Sequence, residues 1–264
     1  DGADPLFEWQ EAPDARDPGL VPFSEMPVVE RSDYVFNAND SFWMPHATEL
    51  LEGDYSILHG RQRVPQSPRT RENATVLEEA GTFDLDSLAD ASLANRGFMA
   101  RALLDEVVER CTDAGPVPLD DIEWTTEDAP DEVPDEVDVT EACQVLSEWD
   151  GVYDLDSVGP PIWREMMAGF DWLALTEVGP LWLDPFDPAD PLGTPSGLAP
   201  PLDGGRDPVL ANLARAVVLL DAAGIDLRAP LGEVQFAERN GNVIPIHGGE
   251  AVDGVPNVVS WATA

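Results

Sequence analysis

Apolar positions along the chain change their spacing several times, and each change predicts an element. The longest helical stretch is 84–111. There Leu88, Leu93, Phe98, Leu103, Leu104, Val107 and Val108 recur at helical intervals, Asp84 or Asp86 can cap the start, and Gly97 can divide the stretch in two. Helical spacing also marks 68–79, a helix opened by Thr140 and carrying Cys143, Val145, Leu146 and Trp149, and a run over 161–176. A further helix starts at Asp207-Pro, continues through Leu220 and stops at Gly224. Alternating or short apolar runs predict strands at 33–36, 233–238, 242–246 and 255–261. Asn240-Gly241 is the turn of a hairpin between the middle two. The segments 1–30, 44–68 and 178–205 are rich in Pro and read as irregular, and no internal repeat is present. Ile162, Trp163, Met166, Met167 and Phe170 on one helix read as core packing, or alternatively as the lining of an apolar pocket.

Composition narrows the class. The chain has 264 residues, 43% of them hydrophobic, enough for a sizeable core. It has 52 acidic and 14 basic residues, a net charge of −38, and every basic residue is Arg. Such a field repels nucleic acid and anionic membrane surfaces, so neither is an expected partner. No run of 18 apolar residues suggests a membrane span. Scattered acids keep a protein solvated at high salt, and absence of Lys fits a salt-adapted proteome or a GC-rich genome. The other reading, a calcium loop, needs oxygen ligands alternating around a Gly turn, and no such loop occurs. The acid-rich run 128–138 is broken by Pro130 and Pro134 and reads as a solvated linker or surface loop. Asp1 stands where neither an initiator Met nor a signal peptide is seen, which suggests a processed product or a cut piece.

Two cysteines, Cys111 and Cys143, lie on the helices flanking that acidic loop. Neither belongs to a CxxC and no His is near, which argues against zinc. A disulfide would staple the loop at its base and imply an oxidising compartment, periplasmic or extracellular; two buried thiols are the alternative. The three histidines, His46, His59 and His247, are far apart, and no metalloprotease, phosphate-loop, dinucleotide or serine-hydrolase motif is present.

Two polar side chains carry candidate chemistry. Asn39 sits in a tight polar turn after the strand expected at 33–36, and an Asn amide fixed there can donate to a developing oxyanion. Arg69 lies in Pro68-Arg-Thr-Arg71, and its guanidinium can orient a carbonyl or a carboxylate by forked hydrogen bonds. Taken singly, an ordinary Asx turn and a surface Arg account for both.

Five segments occur together in a recognisable order: Asp33-Tyr-Val-Phe-Asn-Ala-Asn-Asp-Ser-Phe-Trp43, Pro68-Arg-Thr-Arg71, Glu141-Ala-Cys-Gln-Val-Leu-Ser-Glu-Trp-Asp150, Pro185-Phe-Asp187 and Ile244-Pro-Ile-His-Gly-Gly249. In this the chain resembles the C-terminal part of the β-subunit of penicillin-acylase-type N-terminal nucleophile hydrolases, in the branch of acyl-homoserine-lactone and aculeacin acylases. The resemblance implies an α+β architecture, part of a four-layer αββα fold. It divides into active-site strand and loops over 1–83, a helical region over 84–225, and a β-hairpin and strand returning to the core sheet over 226–264. It implies hydrolysis of an N-acylated amine such as an acyl-homoserine lactone, a lipopeptide antibiotic or a β-lactam. An N-terminal Ser is the nucleophile, and its own amine is the base. On the motif the oxyanion Asn maps to Asn39 and the active-site Arg to Arg69. No cofactor is implied. Some members bind Ca2+, and Asp54 lies in roughly that stretch without matching its spacing.

This chain departs from the family in beginning with Asp1 and in having only 38 residues before Asn39. Its expected partners are therefore an α-subunit and the N-terminal part of the β-chain from the same precursor. Alone, without a nucleophile, it is expected to be inactive. The rival reading is a non-catalytic acidic binding or scaffold domain derived from the acylase fold.

Overall fold

A computed structural model describes residues 12–119, 122, 124, 130 and 133–259. The chain divides into two compact units, 1–64 and 65–264.

The first unit is built from turns and extended segments, with single 3-10 turns at Phe23–Glu25 and Ile57–His59. The strand expected at 33–36 does not form. That segment is extended, but Phe36 N–H makes one backbone bond, to Pro45 O at 2.9 Å, and no ladder develops. Side chains brace it instead. Tyr34 stacks on His46 with ring centroids 4.1 Å apart. Arg31 forks onto Asp33 and reaches Glu49.

The second unit holds eight helices and three two-stranded antiparallel pairs among the described residues. Helix α1, Pro68–Ala80, starts from Ser67, whose side chain accepts the Thr70 N–H. The stretch expected to divide at Gly97 does so, into α2, Leu85–Leu93, and α3, Phe98–Cys111. Asp84 and Ser87 form a reciprocal cap on α2. The acidic loop is shorter than expected: Pro116–Pro118 (β1) pairs with Glu136–Asp138 (β2), so 136–138 is strand rather than linker. Val117 faces Val137 across it, both buried, and burial of this pair gives the ladder an anchor. The part of the acidic run that contains Asp128 lies outside the described residues. Helix α4, Thr140–Glu148, follows.

The helix expected over 161–176 is two. All eight residues of α5, Pro160–Met167, are buried. The chain then turns at 168–171, and Asp171 caps α6, Trp172–Thr176, by accepting the Ala174 N–H at 2.8 Å. A capping carboxylate inside an apolar run ends one helix and starts the next. The Met and aromatic set of α5 is core: Ile162, Trp163, Met166 and Met167 have no exposed surface. The segment expected to be irregular supplies a short pair, Trp182–Asp184 (β3) with Ser196–Leu198 (β4). Helix α7, Pro208–Ala222, capped by Asp207, packs on α5 as the central helix pair.

The hairpin turns at Asn240-Gly241, both at positive φ (54° and 77°), which a tight two-residue turn requires. Its strands are Phe236–Arg239 (β5) and Asn242–Pro245 (β6); 231–234 is a helical turn, α8, rather than strand. The strand expected at 255–261 reduces to one parallel bridge, Gly249 with Val258, and 260–264 lies outside the described residues. No described helix is long and apolar enough to cross a membrane.

Candidate functional site

Asn39 is exposed and adopts φ +71°, the left-handed region. Asn tolerates this conformation better than most residues because its short side chain bonds locally. Here the neighbour supplies the bond. Asn37 Oδ1 accepts the Asn39 N–H at 2.8 Å, and Asn37 Nδ2 donates to Asp40 O at 3.0 Å. The turn is thus locked at both ends by one amide, and Ala38 is buried inside it. Just before it, the Arg31 fork holds the exposed Asp33 carboxyl far below the usual carboxylate range, with the Tyr34 N–H adding to the effect.

Arg69 is half-buried in the first turn of α1. Its neighbour Arg71 is the more deeply placed of the two. The Arg71 guanidinium donates to Leu192 O (2.9 and 2.8 Å) and to Pro195 O (2.9 Å), and lies 4.2 Å from the centre of the Phe98 ring. Burial pulls its pKa down to about 10, with the Arg101 charge acting in the same direction. Of the two arginines in the motif, Arg71 is committed to main-chain carbonyls, and Arg69 is the one left partly open to solvent.

Glu72 has no exposed surface. Its carboxylate meets Arg96 Nε at 3.2 Å and Arg101 Nη2 at 2.9 Å. Sequence reasoning missed both Arg71 and Glu72. A polar stripe Glu72, Thr75, Glu79 at i, i+3, i+7 is visible in the sequence, but its partners lie 17 to 29 residues away across a helix break.

Cys111 and Cys143 are bonded, with Cα atoms 5.8 Å apart and a separation of 32 residues, and both are buried. The disulfide joins the end of α3 to α4 and closes the base of the β1–β2 loop. Asp54 is exposed. Among the described residues no group of three or more His, Cys, Asp or Glu side chains gathers closely enough to hold a metal ion.

The remaining motif segments lie in the second unit. Trp149 donates from Nε1 to Val152 O at 2.8 Å and packs against Tyr153 and Trp163. Gly159 lies so close under Trp149 that a Cβ there would stand 2.6 Å from the ring. His247 Nδ1 meets Asn95 Oδ1 at 2.9 Å, and Gly248 N–H bonds Tyr153 O. The Pro185-Phe-Asp187 segment leads into the turn whose carbonyls Arg71 holds.

The described helices and small antiparallel pairs are the mixed content expected of an acylase domain. The sequence comparisons agree. Acyl-homoserine lactone acylase PvdQ of Pseudomonas syringae pv. syringae is 29% identical over 98% of this chain and 31% of its own length. Aculeacin-A acylase of Actinoplanes utahensis is 31% identical over 94% of this chain and 29% of its own. The chain thus spans less than a third of the length of these relatives. The penicillin amidase profile matches residues 1–263, and the chain belongs to the penicillin amidase family.

Proposed function

We propose that this chain is the oxyanion-binding and helical portion of an acylase that hydrolyses the amide of an N-acylated amine. Substrates in view are an acyl-homoserine lactone, a lipopeptide or a β-lactam side chain. What carries the reading is the match along the whole chain to relatives that are acylases. The geometry supports it at Asn39, an exposed residue on a turn that Asn37 locks.

In this reading an N-terminal Ser of a longer precursor attacks the amide carbonyl while its own α-amine takes the hydroxyl proton. The carbonyl oxygen becomes an oxyanion, and Asn39 donates a hydrogen bond to it. One such donor in a preorganised site is worth roughly 3–4 kcal/mol. Arg69 holds the terminal amine in place by its forked donors. The α-ammonium returns the hydroxyl proton to the leaving nitrogen as the tetrahedral species collapses and expels the amine product, and water then releases the acyl group. The assembled protein adopts the four-layer αββα arrangement, with an α-subunit and the earlier β-chain as partners. It works in the periplasm or outside the cell, a location the Cys111–Cys143 bond supports.

The test is amine release from acyl-homoserine lactones and from an aculeacin-type lipopeptide, by residues 1–264 alone and by a longer Ser-led chain containing them. Turnover by the longer chain only is expected. No turnover by either on any acyl amine overturns the reading in favour of a binding or scaffold domain.

A further inference from the structure

The buried face of α1 is polar for the greater part. Three of its five buried residues, Thr70, Arg71 and Glu72, are polar and sit beside Pro68 and Ala74, so directional bonds act together with apolar contact on how the helix is turned about its axis. Two arginines grip one stripe of it. Arg101 reaches Glu72 and, at 3.2 Å, the Thr75 hydroxyl. Arg96 spans Glu72 and, two turns further on, Glu79 at 3.1 Å. Glu72 is the shared member of both grips. On the far side Arg71 fixes the same turn to the Leu192 and Pro195 carbonyls. The Phe98 ring lies against both the Arg71 and Arg101 guanidiniums, at 4.2 and 5.1 Å.

A carboxylate taken fully out of water is costly, and a packed apolar residue there would be at least as stabilising. What the ionic arrangement adds is rotational register. Arg69 stands one turn before Glu72 on the same side of α1, at i and i+3. Turning the helix by about 10° moves a side-chain tip at a radius of roughly 6 Å through about 1 Å. A displacement of that size at a catalytic group can cost on the order of 100-fold in rate.

We propose that Glu72 is a positioning residue. By holding Arg96 and Arg101 it sets the rotation of α1 and so the direction in which Arg69 is presented. The consequence for catalysis rests on the role of Arg69 proposed above; the positioning itself does not.

Two readouts test it. In residues 1–264, Glu72→Gln is expected to lower the heteronuclear NOE of the Arg69 Nε–Hε group at temperatures where unfolding is still cooperative. In the longer Ser-led protein, Glu72→Gln should lower kcat about 10- to 100-fold with little change in KM. Combined with Arg69→Ala it should cost no more than Arg69→Ala alone, because Glu72 acts through Arg69. An unchanged Arg69 signal, or losses that simply add, overturns the proposal. If Arg69→Ala leaves kcat intact, the role of Arg69 fails, while the NMR arm still decides whether Glu72 positions it. Should Glu72→Gln not fold, Arg101→Met keeps contact with Phe98, removes one grip and is read in the same two ways.

Discussion

The side-chain oxygen of Asn95 meets Nδ1 of His247 at 2.9 Å, across 152 residues of chain. The same oxygen accepts from Asn257 Nδ2 at 2.8 Å, and Asn95 Nδ2 donates to Asp154 at 2.6 Å. With its amide facing the carboxylate, Asn95 presents an acceptor to His247, so the Nδ1 position carries the proton. One side chain at φ +51° in the break between α2 and α3 thereby ties three distant segments. Asn95→Ala should cost about 2–4 kcal/mol, from the orphaned partners and the backbone conformation together. Asn95→Gly, which relieves only the backbone, should recover part of that loss. Urea denaturation of the three proteins checks this.

Asp253 gives the stability a pH dependence of unusual sign. It is fully buried, accepts the Glu250 N–H at 3.1 Å and lies near Tyr153 and Arg164; burial raises its pKa to about 7. The native state therefore keeps a proton that the unfolded chain gives up near pH 4. The contribution of this group is full below about pH 4, is lost as pH rises towards 7, and is flat above. The stability of wild type relative to Asp253→Asn, which does not titrate, should fall as pH rises over that window. A difference independent of pH between 4 and 7 would sink the assignment.

Reduction of Cys111–Cys143 frees a loop of about thirty residues and should destabilise by about 3–4 kcal/mol in the chain-entropy model. The Cys111→Ala, Cys143→Ala double variant should melt at the temperature of the reduced wild type. Equal melting of the oxidised and reduced forms would show that the bond adds nothing.

The net charge of −38 predicts a melting temperature that climbs steeply with added NaCl up to roughly 0.5 M and then levels as repulsion is screened. A melting temperature that does not move with salt rejects salt adaptation as the reason for the acidity.

At the proposed oxyanion donor, Asn39→Ala in the longer acylase should lower kcat about 100- to 1000-fold with KM little changed. Asn37→Ala, which only unlocks the turn, should cost less. Steady-state kinetics on one acyl-homoserine lactone separates the two.

The sequence by itself determined the local elements whose signals are local. Asp207-Pro and Gly224 bound α7, Asn240-Gly241 turns the hairpin, Gly97 separates α2 from α3, and five ordered segments carried the family. Each is decided by the preferences of a few adjacent residues or by an inherited pattern. Only the tertiary structure decided the rest. Asp171 split a continuous apolar run, because capping competes with helix continuation and the outcome depends on what the chain packs against. The 33–36 segment stayed a braced extension, because a strand needs a partner that local propensity cannot supply. Arg71 and Glu72 look in sequence like surface charges on a polar helix. Their burial becomes evident only once Leu192, Pro195, Arg96 and Arg101 are brought to them from far along the chain, since a buried charge is tolerated only where distant groups satisfy it.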